Sequence, residues 1–268
     1  MTLLVLAEQV KLFRRTPARL GLGLAVMLGA LMPIVLVALL QAGTVIFGVE
    51  AAQHFASEPT RPMIWALRAR NFFVMHAVLI VLGAQTLAGE IGDRTLREAL
   101  LAPVPRYQVL LAKLVALLTW DAVGLVLMFV VSGVLGIGAF GMDGIWVSVA
   151  LAYVLTLVAD TALAGITLLV AVATRSVVAT LGGLLVALIL DMVAGWAMFV
   201  VSTGAVVRDP WVVEIASQHP VLLNSVLGLG NSVLPGYAFD TRTLGSAGVL
   251  AAGSLLGALL LLRRADIP

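Results

Sequence analysis

The sequence contains no cysteine, which excludes a disulfide, a thiolate metal site and a cysteine nucleophile. Charge is also scarce: 11% of the 268 residues are Asp, Glu, Lys or Arg, where a soluble domain carries about a quarter. So few charges cannot cover a water-facing surface. Lysine occurs only at Lys11 and Lys113, and no basic tract is dense enough to grip a phosphate backbone, so nothing supports nucleic-acid binding. His54, His76 and His219 lie too far apart to form a local metal motif, and no metal site is expected. There is no G-x-x-x-x-G-K-[ST] phosphate loop either. What is present is apolar: 62% of the residues are hydrophobic, and the mean hydropathy is +1.12. The chain is therefore expected to live in a membrane.

A membrane helix needs about 20 mostly apolar residues. Six such stretches run near 20–48, 71–89, 107–138, 145–173, 177–204 and 244–262. Apolar runs such as Val177–Leu190 do not alternate, which argues against barrel strands. The expected fold class is all-α, a polytopic membrane protein forming a single domain over 1–268.

Cations left on the cytoplasmic side orient such a bundle. With the N-terminus inside, the inner face receives Lys11, Arg14, Arg15, Arg19, Arg94, Arg97, Arg106, Lys113, Arg175, Arg263 and Arg264. The outer face receives Arg61, Arg68, Arg70, Arg208 and Arg242. The excess places both termini in the cytoplasm. Before the first span, Leu3, Leu6, Val10 and Phe13 recur at helical spacing with Glu8, Lys11, Arg14 and Arg15 mostly elsewhere on the wheel. This predicts an amphipathic interfacial helix within 1–17, ended by Pro17. The connections 49–70 and 205–243 hold Pro59, Pro62, Pro210, Pro220 and Pro235, so both read as broken structure on the outer side. Within the second, 221–235 is apolar but interrupted by Asn224, Gly228, Gly230 and Asn231, the pattern of a re-entrant or interfacial element.

The most informative segment is the inner loop, GEIGDRTLREALLAPVPRYQVLLAKL, from Gly89 to Leu114. Asp93 is placed to cap a short helix over 95–102, which Pro103 and Pro105 end. Leu96 and Leu100 share one face of it, with Arg94, Arg97 and Glu98 on others. Arg106 and Lys113 follow at the base of the third span, where they can reach headgroup level. Glu90, Asp93, Thr95, Leu96, Leu100, Leu101, Pro103, Arg106 and Lys113, at this spacing between the second and third spans, resemble the permease subunit of ABC-2 type transporters. Arg94 stands where the family's E-x-x-x-G-T-L pattern has glycine.

The resemblance implies a permease that does not hydrolyse ATP and binds no cofactor itself. ATP and Mg would belong to a separate ABC ATPase subunit. The loop 90–106 would carry the coupling helix, with Glu90, Asp93, Arg94, Thr95, Leu96, Arg97, Leu100, Pro103 and Arg106 as its contact residues. Two permease chains, identical or homologous, would pair with two ATPase chains among membrane lipids, with room for an accessory protein. The setting would be a prokaryotic cytoplasmic membrane and the direction export.

Asp121, Asp160 and Asp191 fall near the middle of the third, fourth and fifth spans. A charged Asp at a helix centre costs about 2.5–3.5 kcal/mol on insertion scales, and no basic residue is expected at their depth. Three explanations are open: protonation, hydrogen bonding within the bundle, for which Thr119, Thr156, Thr161 and Thr167 are close by, or lining a wet translocation path. Two rivals share these acids. An intramembrane aspartyl protease would use a dyad, but Ala159-Asp160-Thr161 and Leu190-Asp191-Met192 lack the Tyr-Asp and Gly-x-Gly-Asp patterns. An ion- or proton-coupled secondary transporter would show an inverted repeat, and none is visible.

The charge asymmetry makes orientation testable, because single cysteines can be introduced into a chain that has none. An impermeant maleimide is expected to label Glu58→Cys in intact cells and to reach Glu98→Cys only after lysis. The reverse pattern overturns the orientation.

Overall fold

The computed structural model describes residues 1–46, 60–93, 95–96, 104–142, 144–202, 226–227, 229–230 and 241–264. Every regular element among them is helical. In chain order these are α1 (Thr2–Arg14), α2 (Thr16–Ile46), α3 (61–92), α4 (Arg106–Phe140), α5 (Trp146–Thr174), α6 (Val177–Ser202) and α7 (Thr241–Arg264). Among the described residues six helices are long and apolar enough to cross a membrane, one in each of α2 to α7. The chain is an all-α, multi-pass membrane protein.

Helix α1 ends at Arg15, whose backbone turns extended (φ −71°, ψ 137°). Pro17 does not end it, as the sequence suggested. It lies in the first turn of α2, where a missing N–H breaks no helical bond. Leu3, Leu6 and Val10 are exposed while Glu8 and Leu12 are buried. The helix thus turns its apolar stripe away from the protein, as a helix bathed in lipid does, and an acid toward it.

The second spanning helix departs most from expectation. The sequence reading begins it at residue 71; in the structure the helix already runs from Arg61, through α-helical Arg61–Ala69, a π-helical turn Arg70–Val74, α-helical Met75–Ala84, a second π turn Gln85–Gly89 and a last turn Glu90–Gly92. Pro62 sits in its first turn, where proline is well tolerated. The described part of the connection 49–70 is therefore regular helix, and Arg70 is carried into the bundle.

Helix α4 stops at Gly141, whose φ of 90° suits a residue without Cβ and whose N–H returns to the Ile137 carbonyl. Helix α5 ends with Arg175 in the left-handed region (φ 52°) and its N–H on Ala171, and α6 follows directly. Trp120 of α4 is fully buried, and its indole N–H donates to the Ala18 carbonyl at 2.9 Å, fixing α4 against the first turns of α2. Gly21 makes that approach feasible, because a Cβ there would meet the Trp120 ring at 2.5 Å. The core around these helices holds Leu79, Ile80, Leu82, Leu117, Leu163 and Leu168. Helix α7 packs along α5, where Gly165 lies so close to Ser254 that a side chain would not fit. Val126, Val130 and Val134 on α4 and Val186, Leu190 and Val193 on α6 are exposed, as lipid-facing residues would be.

Arg94, Arg97, Leu100 and Pro103, and most of the outer element 205–243, lie outside the described residues. Within that element Val226, Leu227 and Leu229 are buried, and Gly230 fits against the Ala152 carbonyl and Thr156 of α5.

Candidate functional site

Two clusters of buried charge stand out, one at the middle of the bundle and one at the end bearing α1. The central one is built from α3, α4 and α5. Asp160 is the midpoint of α5, flanked by the small residues Ala159 and Ala162, all fully buried. Asp121 follows Trp120 on α4 and shares its burial. Arg70 opens the π turn of α3 and projects between them, its Nη2 donating to Asp121 Oδ1 and to Asp160 Oδ2, each at 2.5 Å. Arg70 Nη1 donates to Asn71 Oδ1 at 2.9 Å. His76 presents Nε2 3.3 Å from the second oxygen of Asp160. Relative exposures are 2% for Arg70 and 0–1% for the two acids and His76, so water does not screen these pairs. Tyr153, stacked edge-on against Phe129, donates its hydroxyl to the Met63 carbonyl at 3.0 Å and closes the cluster toward the α1-distal end.

This overturns the expectation that the acids lack a cation at their depth. Arg70, assigned by sequence to the outer surface, is that cation. The nearby threonines do not supply the bonds: Thr156, Thr161 and Thr167 donate to their own helix four residues back, at Ala152, Leu157 and Leu163. Asp191, on α6, is half-buried and is not a partner of Arg70. His76, which in the sequence stood out only as too isolated for a local metal motif, belongs to the cluster.

The second cluster surrounds Glu90. Its Oε2 accepts from Lys113 at 2.5 Å and its Oε1 from Lys11 at 2.7 Å, with Arg15 at 3.5 Å. Lys113 also donates to Glu8 at 3.0 Å and is fully buried. Lys113 therefore does not reach headgroups; it joins α1, α3 and α4 from inside. Gln9 adds a bond to Thr119 of α4 at 3.1 Å. Beyond Glu90, the residues singled out as a coupling segment separate into different surroundings. Asp93 is exposed, Thr95 reaches back to the Glu90 carbonyl at 3.5 Å, and Leu96 is wholly buried in the main core. Leu96 thus anchors the segment to its own bundle and offers no face to a partner. Arg106 donates to the carbonyls of Leu262 at 2.6 Å and Arg263 at 3.2 Å, capping the end of α7.

Sequence reasoning missed Arg70, Asn71 and His76 in one cluster and Glu8, Lys11, Arg15 and Lys113 in the other. The signal was the count itself: three acids in apolar spans demand a cation, and Arg70 stands directly before the second span.

Six apolar helices holding ion pairs in their interior define an integral membrane protein whose bundle is organised by buried charge. The chain belongs to the ABC-2 transporter family: the family described as "ABC-2 family transporter protein" matches it over residues 4–194. No curated protein matches it. The matched region contains both charge clusters and ends within α6.

Removing one partner from a buried ion pair costs about 3–5 kcal/mol. Arg70→Met leaves two carboxylates facing each other, and a large fall in the thermal midpoint of the detergent-purified protein is expected. Arg70→Lys keeps the charge without the fork and should recover part of the loss. At the other cluster, Glu90→Gln leaves Glu8 as the carboxylate partner of Lys113. Hydrogen exchange in 2–14 should then rise while that in 146–174 stays at the wild-type level.

Proposed function

We propose that this chain is the membrane-embedded half of an ATP-binding cassette exporter. In this reading a separate ATPase subunit binds ATP and Mg on the cytoplasmic side and docks on the segment 90–106. Two permease chains, alike or homologous, would assemble with two ATPase chains. The end bearing α1 would face the cytoplasm, together with both termini.

The observation that carries this reading, beyond family membership, is how the segment is rooted. It leaves α3 at Glu90, which is bonded to α1 through Lys11 and to α4 through Lys113. Leu96 is sunk in the core, and the segment joins α4 at Arg106, which holds the last carbonyls of α7. A push on the segment would therefore reach α1, α3, α4 and α7 through these described anchors. An element tied to the bundle at both ends is what a force-transmitting contact needs, since packed interfaces switch between discrete arrangements.

Asp121, Asp160 and Asp191 remain the candidate residues for the path. The two that Arg70 holds would then keep the α3–α4–α5 seam shut until the bundle moves. A cationic substrate could not use them while Arg70 occupies the place it would take.

Leu96 and Leu100 serve to separate docking from folding. Leu96→Asp forces a charge into the core and should abolish the folded permease. Leu100→Asp should leave the purified permease intact and abolish co-purification of the ATPase or ATP-driven transport, with Arg97→Glu doing less because a rim charge is screened. Wild-type assembly and transport in Leu100→Asp would remove this segment as the coupling element.

A further inference from the structure

The central cluster does not balance. Arg70 contributes one positive charge, Asp121 and Asp160 two negative charges, and a neutral His76 none. All four are buried, at a depth where an uncompensated charge is among the most costly features a membrane protein can hold. The other polar groups facing the cluster do not change the sum. From α3 there is Asn71, a neutral amide whose oxygen is taken by Arg70. From α5 there is Tyr153, whose hydroxyl is spent on the Met63 carbonyl. Ser132 of α4 donates to the carbonyl of Met128. No lysine or second arginine among the described residues reaches the two acids, since Lys113 belongs to the Glu8–Glu90 cluster.

The geometry also shows where the missing charge would sit. Asp121 uses one oxygen, Oδ1, toward Arg70, while its Oδ2 is buried without a hydrogen-bond partner. Asp160 likewise has Oδ2 on Arg70, and its Oδ1, also without a hydrogen bond, lies beside His76. At 3.3 Å, His76 Nε2 is close to that oxygen but outside hydrogen-bonding geometry. Each acid thus keeps one buried oxygen without a hydrogen bond, Asp121 Oδ2 and Asp160 Oδ1, and the two differ in that Asp160 has the His76 ring beside its bare oxygen.

We propose that the cluster is a binding site for one proton, carried on Asp121 Oδ2 and exchanged through His76. The proton comes from water, forms a single O–H bond and brings the cluster to neutrality with Arg70 and Asp160 as the remaining ion pair. When it moves, the His76 ring accepts it at Nε2, and the resulting imidazolium pairs with Asp160 Oδ1 while Arg70 pairs with Asp121. Both arrangements are neutral, so the site can pass a proton between its two seats without leaving net charge in the bundle. A metal ion is a poor alternative occupant, because no three His, Asp or Glu side chains among the described residues are arranged to hold one. A parting of α3, α4 and α5 that admits water would release the proton, which links movement at this seam to pH. The inference stands on the cluster alone and does not depend on the ATPase reading.

Infrared spectroscopy of the purified permease in lipid nanodiscs tests it, because a protonated carboxylic acid has a carbonyl stretch that ionised Asp and Glu lack. The wild type at neutral pH should show this band, moving on transfer to heavy water. Asp121→Asn should lose it. Asp160→Asn should lose it as well, although Asp121 is still present, because Arg70 then neutralises Asp121 alone; a purely structural role would not produce that result. Asp191→Asn should keep it. Absence of the band from the wild type overturns the proposal whether or not any variant folds. So does its persistence in a folded Asp121→Asn, or its loss in Asp191→Asn.

Discussion

A charge inside a hydrocarbon slab has to be matched, and in this protein two buried carboxylates are gathered on one guanidinium group. Arg70 holds Asp121 and Asp160 with a single nitrogen, and in doing so joins α3, α4 and α5 at the centre of the bundle. Dispersion and close packing hold such helices together but say little about their registry, since lipid is as apolar as leucine. An ion pair is different: sliding α4 past α5 by one turn would strip a carboxylate of its cation. The cluster thus fixes the vertical position of three helices more sharply than the leucine-rich core around it.

The same logic repeats at the end bearing α1. Glu90 and Lys113 are buried partners, with Lys11, Arg15 and Glu8 arranged around them. Here the partially exposed Lys11 and Arg15 lie nearer to water, and their pairs are worth less than the Lys113 pairs inside. Two polar clusters at different depths therefore bracket α3. Between them its helix carries the second π turn, Gln85–Gly89, directly above Glu90. Widened turns of this kind recur at functional positions, and α3 has one at each charge cluster, Arg70–Val74 at the central one and Gln85–Gly89 beside Glu90.

Much of this fold was legible in the sequence, because span length and apolar composition are local properties. The short α1, the six spans and the connection between α4 and α5 could all be drawn from hydropathy and from punctuation by glycine and proline. The start of α3 was not legible. A window tuned to apolar residues stops at Arg70, and ten residues of helix carrying Arg61, Arg68 and Arg70 looked like a loop. That one boundary also made the intramembrane acids look orphaned. Their partner lies 51 and 90 residues away along the chain, as Lys113 lies 105 from Glu8, and no periodicity reports a contact at such separations. The loop after α3 stood out in the sequence as a motif, but not the inward burial of Leu96 or the use of Arg106 as a cap.

Helix α7 follows all the others in the chain, yet α5 leaves a glycine-sized recess for it at Gly165 and Arg106 keeps two hydrogen bonds for its final carbonyls. During synthesis the first five spans enter the membrane before α7 exists. Until it arrives, one flank of α5 faces lipid and the guanidinium at the head of α4 has no carbonyls to hold. The bundle is therefore assembled like an arch: the members before α7 stand in place provisionally, and α7 is the piece that lets them bear load.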